Sequence, residues 1–291
     1  MTTTSLYAPP RLADVTATLA ARADEHDRDG SFPNSPVSPL TAEEPTMTEP
    51  VTLPAVRTWL PAPELHQRGT VVLLPGRGEH GGVYERLGRR LSADRYAVHA
   101  ADSTPGDDLD VLARLVAETP ATDPLVLAGS DTGALQALAL AAGPGRAPAG
   151  VIIAGLADPG TPSPLSWDDE LEARTACPTH RRRLTDDTRF VRGALSEPLP
   201  TALLSAELPL ERIDLPVLLL HGDTDPATAP AIARSVAARL PGAELAIVRG
   251  GRHDVFNDIN HRSVAAHIVQ WLERLRSGPD RAPVVVVENP S

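Results

Sequence analysis

The chain has 291 residues, and all 27 of its Lys and Arg residues are Arg. It therefore offers no Schiff-base Lys, no P-loop Lys and no kinase-type strand Lys. The formal net charge is −11 and the Arg residues are scattered, apart from Arg181-Arg182-Arg183, which argues against the clustered basic face of a nucleic-acid binder. The single cysteine, Cys177, admits neither an internal disulfide nor a thiolate metal cage.

Residues 1–50 differ in character from the rest of the chain. Leu12 to Asp24 has helical spacing and an Ala-rich composition, and Ser31 to Pro50 is rich in Pro, Ser, Thr and Glu with no apolar periodicity. The pattern predicts a short helix and a flexible extension. Met1 to Val15 carries Arg11 and Asp14 and lacks an apolar h-region, so no signal peptide is expected. The most apolar window, Ala134 to Ala157, is interrupted by Pro144, Arg146 and Pro148 and reads as no membrane span. The expectation is a soluble, cytoplasmic protein.

From residue 51 onward, apolar runs of strand type alternate with helical segments. The predicted strands are Thr70–Leu74, Tyr96–Ala100, Leu125–Ala128, Val151–Ala154, Val217–Leu220 and Leu245–Val248. The predicted helices are Val83–Leu91, Leu109–Glu118, Ala134–Ala142, Ala227–Leu240 and Val264–Leu275. Short continuous apolar strands are expected when helices cover both faces of a sheet, so the fold class is α/β with a mostly parallel sheet flanked by helices. The domain is predicted to span 51–276. The charged, Pro-bearing stretch 155–214 interrupts the alternation and reads as a cap inserted over one end of the sheet. Residues 277–291 read as a flexible tail whose Val284-Val285-Val286-Val287 run has strand composition.

In such sheets, ligands bind beyond the carboxyl ends of the strands. After Leu125–Ala128 come Gly129-Ser130-Asp131-Thr132-Gly133 and a helix, a strand–tight turn–helix of the kind that presents a nucleophile. After Val217–Leu220 come His221-Gly222-Asp223-Thr224-Asp225-Pro226, and after Leu245–Val248 come Arg249-Gly250-Gly251-Arg252-His253-Asp254. Turn residue, acid and His thus stand after successive strands in the order of an α/β-hydrolase triad. The loop after the first strong strand, Pro75-Gly76-Arg77-Gly78-Glu79-His80, can offer a backbone N–H to an oxyanion, with a second N–H from Thr132. His80 and Glu79 read as braces of that loop, because no further His or carboxylate stands at metal-ligand spacing. His221 reads as structural. The Arg181-Arg182-Arg183 run reads as a solvated cap surface, with an anionic-group contact as the alternative.

Residues 51–276 resemble the α/β-hydrolase superfamily, and within it the monoacylglycerol lipase and lysophospholipase-like branch (serine-aminopeptidase type). The motifs that carry the resemblance are PGRGEHGGVYERLGRRL (Pro75 to Leu91), LAGSDTGAL (Leu127 to Leu135), PVLLLHGDTDP (Pro216 to Pro226) and GGRHDVFND (Gly250 to Asp258). The resemblance implies Asp225, in preference to Asp223, as triad acid and His253 as general base. It also implies an oxyanion hole from the N–H groups of Arg77 and Thr132, and a cap that shapes an acyl pocket. Two positions depart from the pattern: Pro75-Gly76 replaces the usual His-Gly, and Asp131 replaces the Ser at the centre of the turn. The loop after Ala101 also lacks the branch's Asp-x-x-Gly-x-Gly pattern. Separately, Leu19 to Pro33 resembles the N-terminal helix of acyl-CoA dehydrogenases. Because Met47 stands just before the first regular pattern, residues 1–46 read as an over-extended start or fusion remnant, with a docking arm for a dehydrogenase partner as the alternative.

Three readings of Asp131 stand at this point. In the first, its carboxylate is the nucleophile and His253 activates water on the resulting ester, as in haloalkane dehalogenases and epoxide hydrolases of the same fold. The first of those families usually places Trp where Thr132 stands, and the second uses cap tyrosines, whereas the tyrosines here are Tyr7, Tyr84 and Tyr96. Trp167, in the cap, is a leaving-group contact or a packing residue. In the second reading, Ser130 is the nucleophile of a shifted turn. In the third, hydrolysis is lost and the fold binds a small ligand. The expected function is hydrolysis of a small apolar, ester-like substrate, with no metal and no organic cofactor. Substrate identity and oligomeric state are open.

Overall fold

The apolar runs that alternate with helices collapse into one seven-stranded sheet in the order β1-β3-β2-β4-β5-β6-β7. This is a computed structural model, and it describes residues 52–286 except 159, 161–165, 202, 204–207, 279 and 281. The strands are β1 (Val56–Trp59), β2 (Gly69–Leu74), β3 (Tyr96–Ala101), β4 (Leu125–Asp131), β5 (Gly150–Leu156), β6 (Val217–Gly222) and β7 (Ala243–Val248). All pairings are parallel except β1 with β3. Each predicted strand is present, lengthened by one to three residues. β1 is additional: Pro54 and Pro61 bracket so short a run that its sequence carries no strand signal, and it survives as an antiparallel edge.

The helices are α1 (Glu85–Ala93), α2 (Leu109–Glu118), α3 (Thr132–Ala142), α4 (Trp167–Arg174), α5 (Pro178–Asp186), α6 (Pro230–Arg239) and α7 (His261–Ser277). The predicted start of α1 is instead a short 3-10 turn, Gly81–Tyr84, capped by the His80 ring, which accepts from Gly82 N. α6 begins at Pro230 and not at Ala227, because Pro230 occupies a first-turn position that needs no N–H donor. The predicted cap contains α4 and α5, so it is more regular than its composition suggests. Ser166 caps α4, and Asp168, Asp169 and Glu170 in its first turn complement the helix dipole.

The core lies on both faces of the sheet, as the strands' continuous apolar character requires. Val71, Leu73, Val126, Ala128, Ile152 and Leu218 pack toward α1 and α7, and their neighbours Val72, Leu74, Leu125, Leu127, Val151 and Leu219 pack toward α2, α3 and α6. The chain leaves β2 for the outer strand β3 and returns across it to β4. Strand order therefore reverses between β2 and β4, and a crevice opens there at their carboxyl ends. Val284, Val285 and Val286 are exposed and belong to no strand. The acyl-CoA dehydrogenase-like segment 19–33 and the rest of 1–50 lie outside the described residues.

Candidate active site

The turn from β4 to α3 holds Asp131 at φ 51° and ψ −117°, a conformation that non-glycine residues rarely adopt. The two flanking glycines make it possible. A Cβ on Gly129 would lie 2.1 Å from Gly133 O, and one on Gly133 would lie 2.2 Å from Leu74 O. Only bare backbone lets strand, turn and helix close so tightly. The turn pushes the Asp131 side chain into the crevice, buried, beside the loop after β2.

Asp131 meets two cations there. Arg77 grips it in a fork: Nε donates to Oδ2 at 2.8 Å and Nη2 donates to Oδ1 at 2.9 Å. The backbone N–H of Arg77 also donates to Oδ2, at 2.9 Å. On the other side, His253 Nε2 lies 3.3 Å from Oδ1, and His253 Nδ1 lies 2.9 Å from Asp225 Oδ2. Asp225 is fixed in turn by the N–H groups of Ala227 and Thr228. Thr132 opens α3 immediately after Asp131. The structure thus brings together Asp131, Asp225, His253, Arg77 and Thr132 from the ends of β2, β4, β6 and β7.

Ser130 faces elsewhere. It continues the Val126–Ala128 face of β4, on the side of the core that holds Tyr84. Asp223 accepts from Gly250 N and braces the His loop, while His221 bonds Thr228 O. Glu79 accepts from Gly76 N and from the Tyr84 hydroxyl, and His80 joins the cap at Asp187. These two residues brace the loop, as the sequence predicts. The three-arginine run is only partly a solvated surface. Arg181 and Arg182 pair with Glu172 and Asp186, whereas Arg183 ties the cap to Glu85 and Gly82 O. Trp167 packs on Phe190, with ring centroids 5.6 Å apart.

This geometry sets the electrostatics. Burial works against a charge on Asp131, yet hydrogen bonding from His253 and the charge and hydrogen bonds of Arg77 hold its carboxyl far below the usual range. Burial also disfavours a charged His253, but Asp225 and Asp131 on either side push its pKa up to about 10. Burial opposes the charge of Asp225, and the neighbouring imidazolium overcomes this and lowers its pKa. At neutral pH the site is an alternating row of Arg77 cation, Asp131 anion, His253 cation and Asp225 anion.

Sequence reasoning assigned Arg77 only a backbone N–H and so missed its side chain. The available signal was charge balance: a buried aspartate requires a buried cation, and in a chain without Lys that cation is Arg or His. A second buried arginine was also missed. Arg174 bonds Glu170, Glu79 and the carbonyl oxygen of Arg77 from beneath the cap. Among the described residues no group of three His, Cys, Asp or Glu side chains is arranged to hold a metal ion.

A mostly parallel sheet with the turn residue at the end of β4, the acid after β6 and the imidazole after β7 defines a hydrolase-type α/β fold. The chain belongs to the alpha/beta hydrolase family, whose model matches residues 71–267. Among solved structures it is similar to a monoacylglycerol lipase from Paleococcus ferrophilus, with 21% identity, TM-score 0.62, and coverage of 77% of this chain and 100% of that one. A soluble variant of the monoglyceride lipase of Saccharomyces cerevisiae, in complex with a substrate analogue, matches with 18% identity, TM-score 0.59, and coverage of 79% and 98%. A thermophilic esterase from Thermogutta terrifontis matches with 20% identity, TM-score 0.54, and coverage of 76% and 93%. At these identities the likeness is one of fold. No curated protein matches the chain.

Proposed function

We propose that the protein is a hydrolase in which Asp131 attacks an electrophilic carbon of a small apolar substrate and His253 directs water onto the resulting ester. The observation that carries this reading is the division of labour between the two carboxylate oxygens. Oδ1 faces His253, and Oδ2 is held by both the backbone N–H and Nε of Arg77. In the first step Oδ1 forms a bond to carbon, and the bond to the leaving group breaks with its electron pair. The Nη2–Oδ1 hydrogen bond opens to allow it.

Esterification removes the Asp131 charge. His253 then keeps one carboxylate neighbour instead of two, and its pKa falls from about 10 toward the range of a working base. It takes a proton from water, which adds to the Asp131 carboxyl carbon. Charge develops on Oδ2, where Arg77 already donates twice. On collapse the His253 imidazolium returns its proton to the leaving oxygen, which departs as an alcohol, and the carboxylic acid left on Asp131 gives its proton back to His253 to restore the carboxylate. The departures from the serine pattern are then consistent with one another: Asp131 supplies the nucleophile, and Arg77 supplies charge as well as a backbone N–H.

A second reading has its own support. Four donated hydrogen bonds occupy about as many lone-pair sites as a carboxylate possesses. A site so saturated suits a ligand-binding protein that does not hydrolyse. Single turnover in heavy-oxygen water, on a panel of short alkyl epoxides, alkyl halides and esters, separates the two. The covalent route places the label in the Asp131 carboxylate, and in His253→Ala the alkylated Asp131 accumulates as hydrolysis slows about 10²–10⁴-fold. Turnover that leaves Asp131 unlabelled contradicts the route, and absence of turnover on the whole panel favours the binding protein.

A further inference from the structure

A cavity of about 290 Å³ lies between the β2 loop, the segment after β3 and the cap. Its wall is largely apolar, from Pro105, Val191, Ala194, Pro198 and Pro200, and Arg77 forms its link to Asp131. Ser103 also lines it. Ser103 is 3% exposed, and its Oγ has no hydrogen-bond partner among the described residues. A buried hydroxyl without a partner costs stability.

The backbone around Ser103 is pinned on both sides. Asp102 accepts from Gly81 N at 2.9 Å and pairs with Arg189. Thr104 N donates to Asp107, and Thr104 O accepts from Gln136 Nε2 at 2.9 Å. Ser103 therefore stands on a rigid stretch that lines an apolar cavity, with a buried hydroxyl that has no partner among the described residues. Such an arrangement suits an oxygen acceptor brought in by a ligand. The charges on the wall limit what that ligand carries. Arg77 is already neutralised by Asp131, Glu79 is engaged by Arg174 and Tyr84, and Glu197 adds a carboxylate that opposes an anion.

We propose that Ser103 is a specificity-determining residue that hydrogen-bonds the acceptor oxygen of a neutral ligand, such as an ester, ketone or ether, whose apolar body fills the cavity. This deepens the functional reading above and rests on it only in taking the cavity to serve Asp131. The test therefore uses a probe that Asp131 does not hydrolyse, so that binding and covalent chemistry fail separately.

Methyl pentyl ketone, its methylene isostere and hexanoate are titrated against the full-length protein by ligand-observed NMR. The ketone is expected to bind more tightly than both others. Ser103→Ala weakens ketone binding about three- to tenfold and leaves the isostere unchanged, while Ser103→Thr, which keeps the hydroxyl, retains most of the ketone preference. Equal binding of ketone and isostere, tightest binding of hexanoate, or an unaffected Ser103→Ala with a wild-type melting temperature would each overturn the proposal.

Discussion

Two buried arginines meet at the β2 loop, and both hold carboxylates. Arg174 is 1% exposed, lies with its guanidinium 4.9 Å from the centre of the Phe190 ring, and binds Glu170, Glu79 and the Arg77 carbonyl. Arg77 is 8% exposed, lines the cavity, and binds Asp131 and the cap carbonyls of Leu195 and Glu197. The first joins α4 to the β2 loop and is almost fully enclosed. The second joins the Leu195–Glu197 segment to Asp131 and lines the cavity. Burial and ion pairing alone therefore do not mark a functional site: the cavity beside Arg77 and the strained turn opposite it do.

The two arginines should separate most visibly in stability. Arg174→Leu removes the cation that pairs with buried Glu79 and Glu170, and unfolding by denaturant is expected to show a loss of about 3–5 kcal/mol. Arg77→Met leaves Asp131 its hydrogen bond to His253, so the same measurement is expected to show a smaller loss, about 1.5–3 kcal/mol. Turnover should reverse the order, with Arg77→Met the more damaging, because of the two arginines it is Arg77 that touches the proposed nucleophile, Asp131. Equal effects of the two variants on both readouts would erase the distinction.

A pH series sharpens the contrast further. His253 binds its proton more tightly folded than unfolded, so the stability it contributes is complete below pH 6.5 and is lost as the pH rises through about 10. Asp131 and Asp225 have lowered pKa values, so their contribution is present above about pH 3.8 and is lost in acid. Asp131→Asn is expected to move the alkaline loss toward neutrality, whereas Arg174→Leu leaves its position unchanged. The smallest effect belongs to an ion pair with neither burial nor cavity. Arg89→Ala, which removes an exposed pair with Glu85 one helical turn away, should change stability by at most about 0.5 kcal/mol.

Much of the fold was legible in the sequence because each core strand is a continuous apolar run, and each candidate site residue stands at the end of one or in the turn that follows it. Asp131, Asp225 and His253 required only the position of a turn. β1 was not legible, since four residues between prolines carry no periodicity. α4 and α5 were hidden by charge: Glu170 and Arg174 are polar in the sequence and buried in the fold, satisfied by each other. The Arg77 fork was hidden because a loop residue's side chain has no direction until the loop is built. Ser103 escaped for the opposite reason, since what distinguishes it is a hydrogen bond it does not make.

In the proposed mechanism, the charge on Asp131 sets the base strength of His253. Nitrogen NMR of the His253 ring across a pH titration, in wild type and in Asp131→Asn as a mimic of the neutral ester, measures this directly. The expected result is an imidazolium that persists to about pH 10 in the wild type and titrates several pH units lower, toward 6.5, in the variant. Titration of both proteins at the same pH would contradict the mechanism.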